Sequence, residues 1–375
     1  MLGFKQTEIL NKYLDQMEID YPDIKYNHNT AAFLEKKTNR KELDKLPMLA
    51  FGKGKKLFLA TYGVHGNEVS SNLSFAVSPV FIYNFLKENY GDKIFDEIKY
   101  AGLLINPNGI KENSRYYVNE NMISTEPDMN RMWFADNPYG KNISKKEMKR
   151  QDGTKYLLFE IPHLGGEYIP PHIIANEVLD KVINENSDGK IIHIDHHVTR
   201  WKDFFPYFEM PGTHAKGFNF DEFSKALETL KHSSLLFFRK GFLSLLGREF
   251  NPFYNLQARY WQSNPESSSA ELEAVKINTD GDYVKIDMEI YGTLSEYLAS
   301  KGIPSLIYED PSRFHLPFSN EDMNKAIRRH VLVDLAAMHS LVSDTPMNGE
   351  LKNLEEKLKE FHMDFSHYGK NQLMN

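Results

Sequence analysis

Hydrophobic residues along this chain follow two patterns. In the first, short segments rich in branched and aromatic residues lie at residues 46–51, 57–62, 98–105, 191–197 and 305–309. Bounded runs of this composition predict interior strands. In the second, apolar positions recur every third or fourth residue, which predicts helices over 4–17, 67–88 with a break at Pro79, 171–185, 220–230, 293–301 and 320–343. Strands and helices interleave. The expected architecture is therefore α/β, a mixed parallel/antiparallel sheet covered by helices on both faces, and sites in such sheets gather at the carboxyl ends of the strands.

Chemistry-bearing residues stand where these strands stop. The run 57–62 ends at a glycine turn and delivers His65 and Glu68 within four residues. An imidazole and a carboxylate are the ligand types of a catalytic zinc that keeps one position open for water. With 14 histidines in the chain, about one such pair arises by chance, so further ligands must be found elsewhere. In Ile191 to Val198 the period of two puts His193, Asp195 and His197 on one face and His196 on the other. His197 is the candidate third ligand and Asp195 the acceptor that orients it, against the competing reading of hydrogen-bonded core histidines. Glu309 ends the run 305–309 just before Pro311. A carboxylate there is costly to bury unless it is paired or working. Between the ligand segments lie Arg115, Asn130 and Arg131, groups that can hold a carboxylate by a bidentate fork and a neutral donor, or serve as exposed salt bridges.

These residues resemble the zinc metallocarboxypeptidases and their relatives the succinylglutamate desuccinylases and aspartoacylases. Five blocks follow that family's order: His65-Gly66-Asn67-Glu68, Asn106-Pro107-Asn108-Gly109, Asp128-x-Asn130-Arg131-x-Trp133, Asp195-x-His197, and Gly292-Thr293 followed by Glu309. The resemblance spans about residues 45–312. It implies one Zn2+ per chain held by His65, Glu68 and His197, with Glu309 as general base and acid. It also implies that Arg115 polarises the scissile carbonyl and that Asn130 and Arg131 grip a substrate carboxylate. The expected substrate is a peptide or an N-acyl amino acid.

The two branches divide the motifs between them. The spacing from Gly292-Thr293 to Glu309 and the wide gap between Glu68 and His197 resemble the carboxypeptidases, which is the expected activity. Asn106-Pro107 followed by Arg115-Tyr116 resembles the deacylases. Where the peptidases carry their oxyanion arginine this chain has Asn121, which cannot replace it, and at the place of their mobile tyrosine it has Asp287, with Tyr283 and Tyr291 nearby. Tyr291 is the candidate substitute in substrate binding, with packing at a helix start as its competing role.

Composition narrows the picture. A formal charge of −7 without a basic aromatic stripe argues against a nucleic-acid partner. The apolar stretch 73–86 is interrupted by Ser78, Pro79 and Asn84, so no membrane span is expected, and the start of the chain lacks a signal-peptide pattern, which favours the cytoplasm. The absence of cysteine removes disulfides and thiolate ligands. No Gly-x-Ser-x-Gly elbow, phosphate loop or His-Glu-x-x-His helix is present. Residues 1–345 are expected to form one catalytic domain, and 346–375 a charged helix followed by a polar tail from Asp364.

Overall fold

A computed structural model of the chain describes residues 2–27, 46–118, 124–125, 129–131, 133, 146–149, 155–158, 174–186, 188–198, 207–209, 221–236, 277–278, 285–286, 293–310 and 319–365. Seven strands form its main sheet: β1 (Lys25–Asn27), β2 (Met48–Gly52), β3 (Lys56–Tyr62), β4 (Ile98–Leu104), β5 (Ile191–Val198), β6 (Tyr207–Glu209) and β7 (Ser305–Asp310), in the order β1-β2-β4-β3-β5-β7-β6. The centre, β4-β3-β5-β7, is parallel, and the pairs β1-β2, β2-β4 and β6-β7 are antiparallel. The sheet is thus mixed, as the hydropathy pattern implies. All eight residues of β5 are buried, the branched apolar Ile191, Ile192, Ile194 and Val198 together with His193, Asp195, His196 and His197, so the strand is enclosed on both faces.

One face carries Phe58, Tyr62, Ile192, Ile194, Leu306 and Tyr308 against a large apolar cluster. The cluster is built with α1 (Leu2–Asp20), α2 (Val69–Tyr90), α5 (Asp221–Lys231), α7 (Asn320–Val342) and α8 (Gly349–Glu360). The opposite face, with Leu57, Leu59 and Ile191, packs on Leu294 and Leu298 of α6 (Leu294–Ser300) and on Val178 and Val182, where a π-helical turn Ala175–Leu179 runs into α4 (Asp180–Asn184). A short helix, α3 (Pro107–Glu112), follows β4.

Two expectations are corrected. The helix after Glu68 does not break at Pro79, which lies inside α2. Proline in a helix interior costs about 3 kcal/mol, but α2 buries Leu73, Phe75, Val77, Ile82, Phe85 and Leu86, each worth roughly 1.5–3 kcal/mol on burial, so packing outweighs the lost hydrogen bond. Unbroken, α2 is long and apolar enough to cross a membrane, the only such helix among the described residues, yet 78% of its most apolar window is buried within the fold. The stretch from Asp364 is not wholly polar surface either. Met363 and Phe365 are buried in the same cluster as Leu351, Leu354 and Leu358 of α8, and residues 366–375 lie outside the described residues.

Behind the sheet, on the α7 face, His196 stacks on Tyr62 at 4.6 Å between ring centroids. Its Nε2 lies 2.6 Å from Asp334 Oδ1, and the Tyr62 hydroxyl donates to Asp334 Oδ2 at 2.5 Å. His330 of α7 packs beside them. Burial first, then the neighbouring His196 and Arg329, push the His330 pKa well below its ordinary value. Burial likewise lowers His193 to about 3, with Asp195 opposing the shift and His196 and His197 adding to it. Both depressions mean that the unfolded chain takes up protons the folded one refuses. In chelator-treated protein, the contribution of these two rings to stability should therefore be fully present above pH ~6.5 and be lost progressively as pH falls below it. Urea unfolding at stepped pH measures this slope, which should be shallower in His330→Gln.

Candidate metal centre

The first ligand segment is held by backbone geometry. β3 leaves the sheet through Gly63, at φ +68°, in the left-handed region that favours glycine. Gly66 packs so closely on the start of α3 that a Cβ there would lie 2.0 Å from the Gly109 carbonyl carbon. Asn106 caps α3 by accepting from the Gly109 N–H at 3.0 Å, while its amide donates to the Val64 and Tyr116 carbonyls. The glycines and asparagine of the two sequence blocks thus lock one loop against the other. Gln6 of α1 adds a clamp: its amide donates to the Gly66 carbonyl at 3.0 Å and to Asn113 Oδ1 at 3.2 Å, and it accepts from Asn72, which also donates to Gly66. No sequence pattern points to Gln6 or Asn72, because their partners are remote in the chain.

His65, Glu68 and His197 come together, each offering a donor atom within 4.8 Å of the others, and all three are buried. His65 Nδ1 lies 2.6 Å from Glu68 Oε1, His197 Nδ1 3.1 Å from Glu68 Oε2, and the two Nδ1 atoms 3.2 Å apart. The Val198 N–H donates to Glu68 Oε2 at 3.0 Å. Burial alone would raise the Glu68 pKa, but the His65 and His197 imidazoles hold it down to about 2. Burial would lower His197; Asp195 and Glu68 instead hold it well above its ordinary value. On the far side of the ring His197 Nε2 is 2.9 Å from Asp195 Oδ2. A carboxylate only accepts, so the metal-free ring donates from Nε2 to Asp195 and from Nδ1 to Glu68; a cation held by the cluster would replace the Nδ1 proton, and Asp195 would keep the one on Nε2. His196 lies on the opposite face, at Asp334, as the period-two argument requires.

The remaining candidates surround this cluster. Glu309 is half-buried on β7, directly in register with His197 on β5, so the two side chains share a face. The Arg115 guanidinium stands 3.8 Å from Glu68 Oε1. Asn130 is buried, its Oδ1 accepting from the Leu294 N–H at 3.0 Å and its Nδ2 3.3 Å from His197 Nε2. Arg131 closes the turn Met129–Arg131; its side chain, and Tyr291, Tyr283, Asp287 and Asn121, lie outside the described residues.

The donor set fits a zinc-like cation. Two imidazole nitrogens and a carboxylate are borderline-soft and hard donors in the proportion of an open catalytic site. Two of the three donor spacings, 3.1 and 3.2 Å, approach the roughly 3.3 Å edge of a tetrahedron with bonds of about 2.0–2.1 Å, while His65 Nδ1 and Glu68 Oε1 stand closer, at 2.6 Å.

No protein-family model matches the chain, and no curated protein sequence does. Solved structures similar to it include a metallo-carboxypeptidase from Burkholderia cenocepacia, 14% identical over 88% of this chain and 68% of that one, with a TM-score of 0.45. Another is bovine thrombin-activatable fibrinolysis inhibitor in complex with a tick carboxypeptidase inhibitor, 13% identical over 90% and 96%, with a TM-score of 0.47. A third is a succinylglutamatedesuccinylase/aspartoacylase from Rhodobacter sphaeroides, 13% identical over 80% and 61%, with a TM-score of 0.38. Both groups that the sequence motifs resemble are therefore among its structural neighbours.

Proposed function

We propose that this protein is a zinc-dependent hydrolase that cleaves an amide bond next to a carboxylate-bearing residue, acting as a metallocarboxypeptidase. The observation that carries this reading is the register of Glu309 with His197, which sets a half-buried carboxylate on the same sheet face as the three converging donors. The chemistry a bound zinc supplies is Lewis acidity, which polarises a carbonyl and draws the pKa of water from 15.7 toward about 7. Glu309 takes the proton from the attacking water and returns it to the leaving amine. Arg115, a permanent cation beside Glu68, donates to the substrate carbonyl oxygen as negative charge develops on it. Asn130 and Arg131 hold the substrate carboxylate and so fix which bond is presented.

A second reading is supported by a specific observation. Arg115 reaches Glu68 from the segment that follows Asn106-Pro107, the arrangement in which the sequence resembles the deacylases, so an N-acyl amino acid is the alternative substrate. Blocked dipeptides and short peptides assayed against N-acetyl and N-succinyl amino acids separate the two. Turnover of the acyl amino acids with none of the peptides would establish the second reading. In either case amidating the terminal carboxylate of a good substrate should remove a charge-assisted hydrogen bond of roughly 1.5–3 kcal/mol, or about 10- to 150-fold in kcat/KM. An unchanged kcat/KM would rule out carboxylate recognition.

A further inference from the structure

On the site face of the sheet a row of buried polar side chains crosses the strand that leads to His65 and Glu68 and the strands that carry His197 and Glu309. The register aligns Leu59 of β3, His193 of β5 and Ser305 of β7, and one step nearer the site Thr61, Asp195 and Ile307. Ser305 Oγ lies 2.6 Å from His193 Nδ1, and His193 Nε2 lies 2.9 Å from Thr61 Oγ1. Thr61 Oγ1 donates to Asp195 Oδ1 at 2.7 Å, and Asp195 Oδ2 faces His197 Nε2 at 2.9 Å. Thr61, His193, Asp195 and Ser305 are each fully buried, so the order of donors and acceptors is decided within the protein rather than by water.

Only one polarity satisfies every contact. The Thr61 hydroxyl has one proton and spends it on the Asp195 carboxylate, which can only accept. Thr61 Oγ1 must then accept from His193, which places the His193 proton on Nε2. A neutral imidazole has one N–H, so its Nδ1 accepts and the Ser305 hydroxyl donates to it. The opposite polarity would take the Thr61 proton to His193 and leave two oxygens facing each other without one at 2.7 Å. With one oxygen committed to Thr61, Asp195 presents the other to the His197 N–H.

We propose that Ser305, His193 and Thr61 form a one-way hydrogen-bond relay ending on Asp195, and that these positioning residues hold His197 in the tautomer whose Nδ1 lone pair faces the metal. The relay rests on the assignment of His65, Glu68 and His197 as ligands. Its reach is lateral: it ties the strand leading to His65, the strand bearing His197 and the strand bearing Glu309 into one polar seam below the site.

The test uses the full-length protein. Zinc affinity is measured by chelator competition for wild type, Thr61→Val, Thr61→Ser and Ser305→Ala, with the visible spectrum of each cobalt-loaded form and long-range 1H–15N spectra of the metal-free wild type. Thr61→Val should weaken zinc binding roughly 10- to 100-fold, the usual effect of removing a partner of a ligand's carboxylate, and shift the cobalt spectrum. Thr61→Ser keeps the hydroxyl and should restore both. Ser305→Ala should weaken binding less, and His193 should be neutral with its proton on Nε2. Unchanged affinity in Thr61→Val, failure of Thr61→Ser to restore it, or a His193 proton on Nδ1 would overturn the relay. If Thr61→Val does not fold, Ser305→Ala with unchanged affinity or the wrong tautomer does so. A wild type that binds neither zinc nor cobalt would instead overturn the ligand assignment, and the His193 tautomer would still decide the relay.

Discussion

Replacing Glu309 with glutamine should lower turnover by at least about 100-fold, the contribution of a positioned general base, while metal content stays unchanged. Glutamine keeps the size and hydrogen-bonding capacity of the side chain but cannot receive a proton from water. Glu309 lies in register with His197 yet is not among the three converging donors, so the substitution separates proton transfer from metal binding. Turnover near wild type would assign Glu309 a structural role. Loss of metal would make it a ligand. Steady-state kinetics and elemental analysis of the same preparation distinguish these outcomes.

His197→Ala should reduce bound zinc from about one per chain to almost none, since an open tetrahedral site has only three protein ligands to lose from. His65→Ala should do the same. His196→Ala is the informative control. It leaves Asp334 buried without its imidazole partner, a type of loss that costs roughly 3–5 kcal/mol when a charge is left unpaired, but it touches no donor of the cluster. Stability should fall and zinc should stay. A reversed pattern, with zinc kept in His197→Ala and lost in His196→Ala, would overturn the assignment of the two histidines to opposite faces.

The central strands could be read from the sequence because short segments rich in branched apolar residues mark strands buried on both faces, even with polar residues among them: the expectation of 191–197 corresponds to β5 at Ile191–Val198, and 305–309 to β7 at Ser305–Asp310. The same period of two placed Asp195 beside His197 and His196 behind the sheet. The edge strands β1 and β6 left no such trace, being three residues each and defined by pairing with β2 and β7. α3 was hidden within Asn106-Pro107-Asn108-Gly109, which reads as a turn although Asn106 and Pro107 are a capping residue and a first-turn proline. Pro79 reads as a helix break on local propensity alone, whereas long-range packing holds α2 through it. Thr61, Ser305 and Gln6 acquire their meaning only from residues far along the chain, and the relay and the clamp could not be seen without the fold.

The strand order has a consequence for how the protein folds. β7 is the last strand of the main sheet in chain order, yet it sits between β5 and β6. Among the described residues β6 pairs with β7 alone, so during synthesis that pairing must wait until β7 arrives. Such non-local closure is slow relative to the local steps that form helices. The three metal donors are therefore all made before the strand that carries Glu309. On the proposed assignment, a partly made chain holds His65, Glu68 and His197 without Glu309, and hydrolysis is expected only once the sheet has closed on β7.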